Sequence, residues 1–172
     1  SVYPDQWRNY YPIAYEKIVD TFAQEAEIDK YWLLSIMRAE SYYNRDARSW
    51  VGATGLMQLM PYTAKRISEE LNESQLSRSD LADPLKNIGY GAYYFKRLLS
   101  YYSNSAVLAI AAYNAGPIAV DRWLRARSDR DIDEFIEEIP YLETRQYVKK
   151  VLKNFAQYQL IYQNHPSALD QV

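Results

Sequence analysis

The chain has no cysteine and a single histidine, His165, among its 172 residues. Without thiols there is neither a disulfide framework nor a thiolate metal site, and one imidazole near the end cannot build a histidine site alone. No metal and no cofactor are expected. Net charge is also scant. Twenty basic against 22 acidic side chains leave −2, so the broad basic face that captures nucleic acid is missing and no nucleic-acid partner is expected. Long apolar runs are absent too. The stretch at residues 106–112 falls far short of the ~20 residues a membrane-spanning helix needs. Residues 1–11 lack the basic start and apolar core of a secretion signal. A chain that opens on serine is therefore expected to be a processed or excised piece, its targeting information lying elsewhere.

What the chain has in quantity is tyrosine, 18 residues, with 4 tryptophans. Such side chains join a flat apolar face to a polar edge and suit wet grooves as well as the rims of cores. A chain of this length buries roughly 70% of its unfolded surface, so one domain is expected over residues 1–172, with its core between about 12 and 162, acting as a monomer.

Apolar residues recur at three- and four-residue steps almost throughout, which predicts an all-α domain. Ile13, Ile18, Val19 and Phe22 place a first helix from residue 12 to an acidic turn at 25–29. Ile28, Trp32, Leu33, Ile36 and Met37 place a second over 29–41. Pro61 opens a third to about residue 71, and Asp83-Pro84 a fourth, carboxylate at the cap and proline behind it. The small and apolar segment 105–115 reads as a helix buried on all sides, ended by Gly116-Pro117. Further helices are expected at 117–126, 131–138 and 142–162, with a loose tail through His165.

One position breaks the second helix's pattern. Steps of four from Ile28 through Trp32 and Ile36 land on Glu40, so an apolar stripe ends on a carboxylic acid. Burial raises a carboxyl pKa because the charged form loses hydration, and such a glutamate can hold a proton at neutral pH and donate it. Alternatively Glu40 lies at a frayed end facing water, or pairs with Arg38 or Arg45. Just beyond, residues 51–61 are apolar and hinged on Gly52 and Gly55, which would allow close backbone approach. Leu56, Met57, Leu59 and Met60 would wall a cleft with Gln58 as its one polar reader. The competing reading is a loop that plugs the core with methionine.

Glu40-Ser41, then Gly55-Leu-Met-Gln-Leu-Met-Pro61, then Ala112-Tyr-Asn-Ala-Gly116, and finally Ile139-Pro-Tyr-Leu-Glu-Thr-Arg-Gln-Tyr-Val148 together resemble the ordered motifs of the soluble lytic transglycosylases. The resemblance covers about residues 12–162. It implies a lysozyme-like, goose-type helical fold. It also implies cleavage of the β-1,4 bond between N-acetylmuramic acid and N-acetylglucosamine in peptidoglycan strands, in the bacterial periplasm or cell envelope. By the same resemblance Glu40 is the catalytic acid, Ser49 assists the substrate's acetamido group, and Gln58, Met60, Tyr113 and Asn114 line the groove. Glu143 would lie toward the stem peptide. The sequence departs from the family at Tyr42-Tyr43, where small or single aromatic residues are commoner, and at Thr54, where serine is frequent.

Ordinary glycosidases use two carboxylates. Here only Glu40 stands out, since Asp46 lies in a polar turn between Arg45 and Arg48. A lone acid needs help from the sugar's own acetamido group. Ring closure by the muramic acid O6 hydroxyl can then outcompete water, because well-placed intramolecular groups reach effective molarities of roughly 10⁵ M or more. Tyr113 could bring its hydroxyl toward the acid, or else be a core tyrosine with a backbone partner. A goose-type lysozyme that lets water attack, and a module that binds glycan without cutting it, are the rival expectations.

Overall fold

The computed structural model describes residues 6–73, 77, 79–126 and 131–163. Those residues are helical with short irregular connections, as the periodicity predicts. The chain divides into two compact units, residues 1–94 and 95–172. The expected tail with His165 lies outside the described residues.

In the first unit, α1 (Gln6–Tyr10) is a five-residue turn with no buried side chain, and no sequence pattern announces it. Helix α2 (Glu16–Ala26) begins later than the expected residue 12, because Tyr15 adopts a left-handed φ of 54° that interrupts regular backbone. It packs on α3 (Lys30–Glu40). The Asp29 side chain accepts from the Tyr31 backbone N–H at 2.9 Å, satisfying one of the amides left over at a helix start. Helix α3 buries Tyr31, Leu33, Leu34, Ser35, Ile36 and Met37. The four-step line from Ile28 to Glu40 therefore runs along the edge of the buried face, where only Ile36 is fully enclosed.

Helix α4 (Pro61–Glu70) starts on its proline. After a short 3₁₀ turn at Asp80–Ala82 comes α5 (Pro84–Tyr101). Gly89 and Gly91 in α5 make room for neighbours: a Cβ there would come within 2.7 Å of the Phe22 ring and of the Met57 side chain, respectively.

The second unit takes the last turns of α5, then α6 (Ala106–Ala115), α7 (Pro117–Arg125), α8 (Ile132–Glu138) and α9 (Leu142–Tyr162). Helix α6 packs on both α7 and α9, and α8 packs on α9. Val107, Ala109, Ile110, Ala111 and Ala112 of α6 are buried, as the small-residue run predicts. Gly116 ends it at φ 83°, a left-handed conformation that glycine takes without a Cβ penalty. Asp121 accepts from the hydroxyls of Tyr101 and Tyr102 at 2.8 and 3.0 Å, fastening the end of α5 to α7. Among the described residues no helix is long and apolar enough to cross a membrane.

Candidate active site

Glu40 is the last residue of α3 and is half-buried. Its helix end is closed rather than frayed. The Ser41 N–H donates to Met37 O at 3.0 Å, and the Ser41 hydroxyl donates to Leu56 O at 2.8 Å, lying also 3.2 Å from Met37 O. The Glu-Ser pair thus ties the end of α3 to the Gly-Leu-Met-Gln segment. Arg45 is exposed and makes no ion pair among the described residues, which removes one of the alternatives for Glu40.

Arg38, two residues before Glu40 and so about 200° around the helix, has its guanidinium over the rings of Tyr11 and Tyr42 at 4.2 and 4.8 Å. Its Nε donates to Tyr10 O at 3.1 Å and an Nη to the Tyr42 hydroxyl at 3.2 Å. The chain then leaves α3 on two left-handed residues in succession, Tyr42 at φ 52° and Tyr43 at φ 65°. Bulky side chains rarely adopt this conformation, and it persists where surrounding contacts impose it. Asp46 is exposed, so it remains a surface carboxylate in the turn where its own N–H meets Asn44 Oδ1 at 2.9 Å.

The segment after that turn is a small irregular hairpin system. Thr54 bridges to Arg48 on one side and to Leu59 on the other. Within it Ser49 closes a tight turn: its N–H donates to Ala53 O, and its Oγ accepts from the Ala53 N–H, both at 2.9 Å. A hydroxyl whose oxygen is occupied as an acceptor still has its proton to give.

The expected apolar wall is corrected here. Leu56, Met57 and Leu59 are buried and plug the core, leaving only Met60, 39% exposed, available to a ligand. Gln58, at φ 46°, turns its Nε2 inward to Ala47 O at 3.1 Å and Gly55 O at 2.9 Å, so its donors hold the loop together instead of facing outward. The close approach expected at both glycines holds only for Gly55, where a Cβ would stand 2.3 Å from Asn87 Nδ2; at Gly52 the space is open and the φ of 94° alone demands glycine.

Asn87 is the residue that motif reading missed. It is fully buried in the first turn of α5. Its Nδ2 donates to Thr54 O at 2.9 Å and Leu81 O at 2.7 Å, and its Oδ1 accepts from the Met57 N–H at 2.7 Å. One amide thereby reaches three backbone groups at once, supplementing the Leu59 N–H that also donates to Thr54 O at 3.1 Å. The signal was present in the pattern: Asn87 interrupts the apolar stripe Ile88, Gly91, Phe95 as Glu40 interrupts its own.

In the second unit Tyr113 and Asn114 occupy the last turn of α6, both half-buried. The Tyr113 ring meets Phe95 edge-on, with centroids 6.5 Å apart. Asn114 Oδ1 accepts from the buried Thr144 hydroxyl at 2.7 Å, which joins the Tyr-Asn and Glu-Thr-Arg motifs. Glu143 is exposed in the first turn of α9, where the helix N-terminus favours a carboxylate. Among the described residues no group of acidic or histidine side chains is arranged to hold a metal ion.

Comparison with known proteins gives the chain's family. The family description "Transglycosylase SLT domain" matches residues 17–136, and "Soluble lytic transglycosylase helical domain" matches residues 138–167. The soluble lytic murein transglycosylase of Escherichia coli K12 is 35% identical over 167 residues, covering 96% of this chain and 26% of that protein. Its Salmonella typhimurium counterpart is 36% identical over 156 residues, covering 90% and 24%. Among solved structures, the 70-kDa soluble lytic transglycosylase of Escherichia coli superposes with a TM-score of 0.90 at 36% identity over 95% of this chain. An inactive glutamate-to-glutamine mutant of lytic transglycosylase Slt from Pseudomonas aeruginosa superposes at 0.85, with 40% identity over 94%. The chain spans about a quarter of the length of these relatives.

Proposed function

Because the chain belongs to the lytic transglycosylases of the SLT-domain family, with their lysozyme-like helical fold, we propose that residues 1–172 form one catalytic domain. It cleaves the N-acetylmuramic acid to N-acetylglucosamine β-1,4 bond of peptidoglycan in the cell envelope, without water. The observation that carries this reading is the half-buried Glu40 at a closed helix end, tied through Ser41 to the Gly-Leu-Met-Gln segment.

The chemistry follows in two steps. Glu40 gives its proton to the glycosidic oxygen, the C1–O bond breaks, and the 2-acetamido oxygen of the muramic acid closes onto C1 to hold the developing positive charge. Ser49, its Oγ anchored by the Ala53 N–H, gives a hydrogen bond to the acetamido group and orients it, keeping its own proton throughout. The Glu40 carboxylate then takes the proton of the muramic acid O6 hydroxyl as that oxygen attacks C1 and displaces the acetamido oxygen. The products are a 1,6-anhydro sugar and a free 4-hydroxyl on the leaving strand, and Glu40 ends protonated as it began. No second carboxylate is needed, in keeping with the exposed position of Asp46.

Met60, Tyr113 and Asn114 contact the glycan in this reading, and Glu143 serves the stem-peptide side. Gln58 acts by holding the loop in shape. Glu40→Gln tests the assignment: turnover of purified murein should fall by roughly 10³-fold or more while glycan binding and melting temperature stay near those of the parent. A variant that still cuts at more than a tenth of the parental rate removes Glu40 from the chemistry.

A further inference from the structure

Trp50 is 97% exposed, more than any other large apolar side chain among the described residues. Solvent gives no reason to present an entire indole, and a fold that needed only a turn could end it on a polar residue. The turn that carries Trp50 is held rigid. Ser49 and Ala53 are joined by two hydrogen bonds of 2.9 Å, the Gly52 N–H donates to Ser49 O at 3.0 Å, and Gly52 sits at φ 94°. Just outside it, Arg48 bridges to Thr54. Val51 beside the indole is also exposed, at 50%. The side chain of Trp50 takes part in no hydrogen bond or ring contact among the described residues.

We infer that Trp50 is a saccharide-stacking residue that sets glycan affinity for the proposed reaction, its indole lying against the C–H face of a pyranose ring. The inference rests on the reading above, because it takes the glycan from there. Adjacent Cα atoms are about 3.8 Å apart, so an indole on the residue after Ser49 reaches the sugar whose acetamido group Ser49 orients, or the next one along. A rigid two-torsion side chain binds such a ring at little entropic expense, and exposed Val51 next to it extends the apolar surface. The indole contributes equally before and during bond breaking, so its effect belongs in KM rather than kcat.

The test uses glycan strands stripped of stem peptide. Trp50→Ala should raise KM about tenfold with kcat within twofold of the parent, and Trp50→Tyr or Trp50→Phe should recover most of the loss. Melting temperature should not move, since the side chain contacts nothing it could destabilise. In a Glu40→Gln background, adding the strands should shift indole emission to the blue, and the shift should vanish with Trp50→Ala. A Trp50→Ala protein with parental KM and parental strand affinity overturns the inference while leaving the proposed reaction standing. Trp50-dependent binding by a chain that releases no anhydro sugar does the reverse.

Discussion

The 44–60 loop of the first unit and the α6–α9 pair of the second both carry candidate residues, yet they satisfy their polar backbone by opposite means. In the helix pair, intrahelical bonds do most of this, and the side-chain link from Thr144 to Asn114 joins the two motifs. In the loop the regular ladder is reduced to isolated bridges at Thr54, and side chains take over: Ser41 on Leu56 O, Gln58 on Ala47 and Gly55, Ser49 on Ala53, and Asn87 on three groups at once. Irregular backbone can aim a hydroxyl or expose an indole where a helix would not. It holds its shape only as long as borrowed donors and acceptors stay in place.

That contrast can be broken at its strongest point first. Asn87→Ala would take the side-chain acceptor from the Met57 N–H and the amide donor from the Leu81 and Thr54 carbonyls, of which Thr54 keeps the Leu59 N–H, and an unsatisfied buried group costs about 1–3 kcal/mol. A loss of about 3 kcal/mol in urea unfolding, together with a clear drop in murein turnover, is expected. Stability within 0.5 kcal/mol of the parent, roughly the level of a neutral surface change, would mean the loop does not depend on its borrowed partner. Thr144→Val removes the corresponding link in the second unit. Its acceptor, Asn114, is only half-buried and can turn to water, so about 1 kcal/mol is expected. An effect as large as that of Asn87→Ala would erase the difference between the regions.

The smallest effect is electrostatic and lies just past α4. Glu73 accepts from Lys86 and from the Tyr90 hydroxyl, the latter at 2.6 Å. The Lys86 hydrogen bond first, and the Tyr90 bond second, hold the Glu73 carboxyl below its ordinary 4.5. Burial and the Glu73 bond push the Tyr90 phenol up. A depressed carboxyl stabilises the fold at pH values above its unfolded pKa and loses that contribution as pH falls through the folded one. The acid limb of a stability curve below about pH 4.5 should therefore be shallower in Glu73→Gln. The pair is partly solvated, so well under 1 kcal/mol is at stake. An acid limb unchanged by the substitution would detach this cluster from the acid response.

How much of this could be read beforehand differs between the same two regions. Helices α3, α5, α6 and α9 were legible because their apolar residues recur at helical spacing, and because Asp29, Asp83-Pro84 and Ser105 mark their starts. The late start of α2 was not, since nothing about a tyrosine announces the left-handed turn at Tyr15. In the loop the motif located the segment but misjudged its faces. Spacing says which residues share a side of a helix; it does not say that Gln58 folds back on its own carbonyls or that Leu56, Met57 and Leu59 turn inward. Those outcomes depend on Asn87 and Gly91, some 30 residues further on, and local pattern carries no information about partners at that range.

The account stands on a carboxyl that serves in turn as acid and as base while the sugar's own hydroxyl closes the ring. Digesting purified murein in ¹⁸O-labelled water and weighing the released muropeptides tests this directly. Anhydro ends, one water lighter than hydrolysed ends and free of label, are expected. Full-mass ends carrying ¹⁸O at C1 would show that water is the nucleophile, contradicting the ring-closing mechanism.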